Sequence, residues 1–155
     1  MKELKITTKI IISSYIEFSE EEKRLIDAAK NASKNAYAPY SRFKVGSAVL
    51  LENGETIAGN NQENIAYPSG MCAERVTLYY ANATFPDVKV KTIAVAAYFG
   101  GDYVEKISPC GACRQVLQEA ENRQKSPIRM LLCGKNEIYI VESVKDLMPL
   151  GFSFE

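Results

Sequence analysis

A chain of 155 residues, 46% hydrophobic and 25% charged, has the size and balance of one soluble globular domain; a second full domain, a collagen, a coiled coil and a disordered segment are excluded. Its 19 Lys and Arg are matched by 19 Asp and Glu, which argues against a nucleic-acid strand as partner and favours a small neutral substrate. Histidine is absent, so His-based triads, HExxH zinc sites and haem–His ligation are excluded, and metal or acid–base chemistry falls to cysteines and carboxylates.

The first 18 residues mix charges with isoleucines and lack the unbroken apolar stretch of a signal peptide, so they read as mature protein and as an N-terminal extension to a single domain over residues 19–155. Alternation of Ile6, Ile10, Ile12 and Ile16 with polar residues predicts an extended segment over 5–18, an edge strand of the sheet. Ser19 with Glu22 three residues on is a capping-box start, and apolar residues at helical spacing carry a first helix to Pro39. Residues 43–51 and 56–66 read as strands of a hairpin whose tip is Asn53-Gly54. A Pro-Ser-Gly break precedes a second helix that starts near Cys72 and stops before Pro86. Residues 90–99 form a buried-type strand, and Ser108-Pro109 leads into a third helix from about Cys110 to 122 or 123. The link between strands 128–133 and 138–141 is too short for a parallel crossover, so these two form another hairpin. The expectation is an α/β fold with helices on the faces of a mixed, about five-stranded sheet. No apolar run is long enough to cross a bilayer, and a cytoplasmic location is expected.

Two segments demand more than packing: Cys72-Ala73-Glu74-Arg75 and Pro109-Cys110-Gly111-Ala112-Cys113-Arg114, each opening a predicted helix. Cys110 and Cys113, three apart, share a face and suit two ligands on one tetrahedral zinc. Cys72 and Glu74 face a common site only if Cys72 lies in the irregular first turn. Helix N-termini favour the thiolate forms that a metal requires. Zinc with three thiolates is formally negative, and Arg75 and Arg114 are the neighbouring groups placed to offset that charge. A fourth position would hold water, with Glu74 beside the metal to take and return protons.

Plainer readings stand beside this one. Cys110 and Cys113 alone also fit a redox pair, and Cys133, in the apolar run Met130-Leu131-Leu132, reads as core. Were Cys133 a fourth ligand, the site would be a closed, non-enzymatic structural zinc module.

The two motifs together strongly resemble the zinc-dependent cytidine deaminases, in particular the small free-nucleoside type that forms homotetramers with all-cysteine zinc sites. The likeness runs from about Ser33 to Phe152 through Tyr40-Ser41-Arg42-Phe43, Asn61-Gln62-Glu63-Asn64, Ala66-Tyr67-Pro68, both cysteine motifs and Leu147-Met148-Pro149-Leu150-Gly151-Phe152. It implies a three-layer α/β/α fold and one zinc per subunit, held by Cys72, Cys110 and Cys113. Zinc-bound hydroxide would attack C4 of cytidine or deoxycytidine while Glu74 moves protons to N3 and to the departing ammonia. It further implies Phe43 against the base, Asn61 and Glu63 on the ribose hydroxyls, the Ala73 backbone at the pyrimidine edge, and Tyr67 and Phe152 at a neighbouring subunit's site. The closing hairpin at Gly134-Lys135-Asn136-Glu137 resembles the free-nucleoside type and not the tRNA-editing, nucleotide and polynucleotide branches, with their parallel last strands, and the neutral charge agrees. A deaminase of a cytosine nucleoside antibiotic such as blasticidin S shares the zinc motifs, and Asn61 and Glu63 argue instead for an unmodified ribose.

Overall fold

Alternation along three strands decides which side of the sheet each residue serves. A computed structural model describes residues 1–153. In β2 (Lys44–Leu51), β4 (Val90–Phe99) and β6 (Arg129–Cys133), every second residue falls into one of two buried clusters. Val49, Leu51, Ile93, Val95, Met130 and Leu132 face α2 (Ala73–Thr84) and α3 (Gly111–Gln124) with Leu78 and Leu117. Ala48, Leu50, Ala94, Ala96, Leu131 and Cys133 face α1 (Glu20–Ser33) with Leu25, Ile26 and Ala29. The result is three layers, α/β/α, with each fully buried aliphatic side chain contributing about 2 kcal/mol.

The α1 side is the tighter one, because half of those six sheet residues are alanine. At Gly46 the helix backbone lies directly on the strand: a Cβ there would sit 2.0 Å from the Ala29 carbonyl oxygen and 2.4 Å from the Ser33 nitrogen. Glycine is required by contact, not by backbone dihedral.

The sheet has seven strands, two more than the five hairpin and central strands read from sequence. Their order is β1 (Ile11–Ser13), β7 (Ile138–Val141), β6, β4, β2 and β3 (Thr56–Asn60), with β5 (Asp102–Tyr103) pairing the end of β4. The further strands are three-residue β1, at the edge against β7 and within the 5–18 segment expected to form an edge strand, and two-residue β5, too short for a pattern to register. Both hairpins, β2–β3 and β6–β7, are antiparallel, and β4–α3–β6 is the one parallel crossover among the described residues. Gly54 at the first hairpin tip takes a φ of +86°, which glycine adopts without penalty.

Two elements end earlier than their patterns predict. The first helix stops at Ser33, not at Pro39, because the backbone of Tyr37 pairs with the segment after β3: its N–H donates to the Asn61 carbonyl and its carbonyl accepts from Glu63 N–H. The strand expected to reach residue 66 ends at Asn60, and Gln62 instead exchanges two backbone hydrogen bonds with Met71. The capping box at Ser19 and Glu22 forms as the sequence predicts.

This topology positions the chemistry. β3 and β4 both run antiparallel to β2, so they are parallel to each other and finish at the same end of the sheet. The helices that follow them, α2 and α3, therefore both begin there.

Candidate metal centre

Cys72 is the N-cap of α2 and Cys110 the N-cap of α3, both in extended conformation just outside the helix; Cys113 lies one turn into α3. Their Sγ atoms all fall within 4.8 Å of one another, with Cys72 and Cys110 3.8 Å apart. Sulfurs about 2.3 Å from a tetrahedral zinc stand about 3.8 Å from each other, so Cys72 and Cys110 already have that spacing and Cys113 lies close to it. The irregular turn that lets Cys72 face the same site as Glu74 is the short 3-10 segment Tyr67–Ser69 followed by extended Gly70. Cys133 is elsewhere: fully buried on the α1 face, its Sγ donates to the Leu131 carbonyl at 3.3 Å, and burial pushes its thiol up to about 12. A closed four-thiolate site is not formed, and the core reading of Cys133 holds.

The three sulfurs differ in their surroundings. A hydrogen bond from Cys113, with one from Arg75 Nη2 at 3.7 Å, holds the Cys72 thiol down at about 5. Cys113, bonded to that thiolate and buried, is pushed upward in turn. Glu74 is buried, 5% exposed, and desolvation raises its pKa above the usual carboxylate value; it also feels the charge of Cys72 and the hydrogen bond of Cys113. Ala73, between the two, is fully buried.

The arginines take different posts. Arg75 is directed at Cys72, and its Nε is buried without a hydrogen-bond partner. The Arg114 guanidinium instead bridges the Pro109 carbonyl at 2.9 Å, the Leu147 carbonyl at 3.1 Å and Ser108 Oγ at 3.0 Å, bracing the loop before Cys110 against the chain after β7. No sulfur is among its hydrogen-bond partners.

A cavity of about 560 Å³ opens at Cys72 and Arg75, walled by Tyr40, Asn61, Glu63 and Tyr67. Asn61 stitches the start of β2 in place, its Oδ1 accepting from Val45 N–H at 2.7 Å and its Nδ2 donating to the Phe43 carbonyl at 3.0 Å. Glu63 accepts from the N–H groups of Tyr40 and Ser41 and from the Ser41 hydroxyl, and that hydroxyl bond lowers its pKa. Each side chain keeps hydrogen-bonding capacity for a ligand: an N–H and a lone pair on Asn61, and one lone pair on Glu63 Oε1. Phe43 packs its half-buried ring 5.9 Å from that of Phe99 and is not among the residues that wall this cavity. Tyr67 is 77% exposed and meets Tyr40 edge-on at 6.2 Å. The Phe152 side chain is exposed, while its carbonyl accepts from Gln115 at 2.9 Å and Gln118 at 3.1 Å. Tyr40, Gln62 and Met71 also line the cavity, and sequence reasoning assigned them no role. The Gln62–Met71 pairing that places two of them is long-range and leaves no local pattern.

The geometry has counterparts of known identity. Residues 19–126 match the cytidine and deoxycytidylate deaminase zinc-binding region. A cytidine deaminase from Sporosarcina psychrophila is 39% identical over 133 residues, 86% of this chain and 92% of the relative. One from Mycobacterium tuberculosis is 40% identical over 132 residues, 82% and 86% of the two chains. The crystal structure of cytidine deaminase from Burkholderia pseudomallei superposes with a TM-score of 0.71 at 38% identity, covering 83% of this chain and 97% of that one. Because the matched region spans well over half the chain and takes in both cysteine clusters, the protein belongs to the zinc-dependent cytidine deaminases.

Proposed function

We propose that the enzyme hydrolyses free cytidine and deoxycytidine to uridine and deoxyuridine with release of ammonia, in cytoplasmic pyrimidine salvage. The observation that carries this reading is a buried carboxyl with a raised pKa, Glu74, beside three convergent sulfurs at the edge of an open cavity. When bound, zinc supplies the Lewis acidity that makes water nucleophilic near neutral pH. Glu74 takes the proton of the attacking water and delivers it to N3 of the ring. As the C4–N bond breaks, Glu74 carries the second proton to the departing amino group, which leaves as ammonia. A carboxyl whose pKa is raised by burial is a stronger base than an exposed one when it takes the proton, and it returns that proton as the acid.

Three thiolates leave a zinc site one negative charge in excess, and Arg75, 3.7 Å from Cys72, offsets it directly. Arg114 acts at longer range, through the loop that ends at Cys110. Phe43 takes the flat face of the base and the Ala73 backbone, at the start of α2, its polar edge. Asn61 and Glu63 use their remaining hydrogen-bonding capacity on the two ribose hydroxyls. Tyr67 and Phe152, exposed on this chain, complete a neighbouring subunit's site in a homotetramer. Equal numbers of acidic and basic residues support a free nucleoside over a polynucleotide. No helix among the described residues is long and apolar enough to cross a membrane.

Side-by-side kinetics on purified, zinc-analysed protein test the reading. About one zinc per chain and turnover of cytidine, followed by the absorbance change on conversion to uridine, are expected. Fast turnover of blasticidin S with negligible turnover of cytidine would transfer the assignment to an antibiotic deaminase.

A further inference from the structure

A second cavity, of about 570 Å³, lies on the other face of the sheet from the metal centre. Lys44 of β2 sits directly opposite Tyr98 of β4, while the next residue, Val45, packs against the α2/α3 cluster; strand alternation therefore turns Lys44 and Tyr98 toward the α1 side. Lys34, at the end of α1, and Arg42 complete a cationic wall. Tyr103 closes the far side, its hydroxyl donating to the Lys30 carbonyl at 3.1 Å and its ring 5.5 Å from that of Tyr98, edge to face.

Three cations gather in this groove without an acidic partner among the described residues. Elsewhere Lys23, Lys91, Lys135 and Arg129 each meet an acidic partner. Among the described residues, Lys34, Arg42 and Lys44 meet none: Lys34 donates to Asn31 Oδ1 and Lys44 to the Lys34 carbonyl, both neutral acceptors. No carboxylate lines the cavity, and the nearby Asp102 is held by Lys135 at 2.9 Å. Arg42 also has a φ of +59°, a left-handed conformation costing a non-glycine residue about 1 kcal/mol. Gathered cations without a counterion repel one another, and an anion placed among them turns that repulsion into binding energy. Lysine and arginine together suit phosphate oxygens, the arginine fork bidentately. The exposed ring of Tyr98 adds a flat apolar surface at the same groove, which inorganic phosphate has no means of using.

We propose that this groove binds a nucleoside polyphosphate, its phosphates on Lys34, Arg42 and Lys44 and its base against Tyr98. The site is separate from the metal centre, so the inference stands or falls independently of the substrate assigned above.

Calorimetric titration of the zinc-loaded protein with ATP and, separately, with inorganic tripolyphosphate tests it. ATP has an adenine base in place of cytosine and reports on the groove without offering the proposed substrate. Submillimolar ATP binding at low salt is expected, weaker for tripolyphosphate, and falling about tenfold as salt is raised. The double variant Lys34→Gln/Arg42→Asn, whose Asn tolerates the left-handed backbone, should lose at least tenfold for both ligands while its cytidine kcat is unchanged. Tyr98→Leu should weaken ATP about fivefold and tripolyphosphate by less than twofold. Equal ATP affinity in wild type and the double variant would overturn the proposal, as would equal wild-type affinity for the two ligands. So would sedimentation with vesicles of anionic phospholipid in the absence of any ATP binding.

Discussion

Cys113 and Cys133 are both fully buried, on opposite faces of one sheet. Cys133 lies mid-strand in β6, among alanines and leucines under α1, with a single backbone carbonyl as its hydrogen-bond partner. Cys113 lies in the first turn of α3, against Cys72, Cys110 and the Glu74 carboxyl. Burial is therefore not what marks a functional cysteine here. What distinguishes them is the end of the sheet where β3 and β4 both finish, since it collects two helix N-termini and the positive ends of their dipoles. The α1 face has no counterpart to that convergence, and its cysteine is a small apolar residue.

Removing a sulfur on the α2/α3 face should have the largest effect. Cys113→Ala leaves two thiolates for an ion that needs three protein ligands, so zinc measured by plasma emission should fall from about one per chain to near zero, with deamination lost alongside it. Retention of stoichiometric zinc would mean that the three sulfurs are not the site. Glu74→Gln, next in size, keeps the three sulfurs and deletes the carboxyl proposed to carry protons: kcat should fall by about 10²- to 10⁴-fold with zinc content unchanged. A wild-type rate would remove Glu74 from the mechanism.

Alkylation after chelation contrasts the two faces chemically. With Cys72 at about 5 and Cys133 at about 12, their thiolate fractions at pH 7 differ by roughly five orders of magnitude. Peptide mass spectrometry should find Cys72 modified by iodoacetamide at neutral pH and Cys133 untouched until the protein unfolds. Early modification of Cys133 would show that the α1 face opens without unfolding.

On the α1 face the expected effects are on stability. Gly46→Ala places a methyl group 2.0 Å from the Ala29 carbonyl, forcing α1 to lift from the sheet at a cost of about 2 kcal/mol. Thermal denaturation should show a lower Tm, by about 6 °C, while zinc content at 20 °C stays at one per chain. Loss of zinc in this variant would mean that the two faces are coupled.

What could be read from sequence divides along local and long-range lines. Ser19 and Glu22, Asn53-Gly54 and the Pro-Cys start of α3 each announce themselves within four residues, and each forms as expected. The cysteine motifs were legible for the same reason. The end of α1 was not, because Ala36 keeps the helical spacing while Tyr37 is drawn off by Asn61 and Glu63, over 20 residues away in the chain. The arginines show the same split: Arg114, one residue from Cys113, stands closer in sequence to a cysteine of the cluster than Arg75, three from Cys72, yet Arg114 is turned away by the Leu147 carbonyl. The second cavity was illegible too, since Lys34, Lys44 and Tyr98 meet only once β2 and β4 are in register.

Cys133→Ala is the smallest change and the one that tests the comparison most directly. It removes one sulfur from a packed apolar cluster, and the partly relaxed void should cost about 1 kcal/mol, a Tm decrease of about 3 °C. No hydrogen-bonding group is stranded beyond the Leu131 carbonyl, which already serves the sheet. Zinc content and cytidine turnover at 20 °C should match the wild type within experimental scatter, because β6 contributes no atom to the three-sulfur cluster. A loss of zinc comparable to that of Cys113→Ala would make the fourth cysteine a ligand after all, close the coordination sphere to water and remove the basis for hydrolysis at this site.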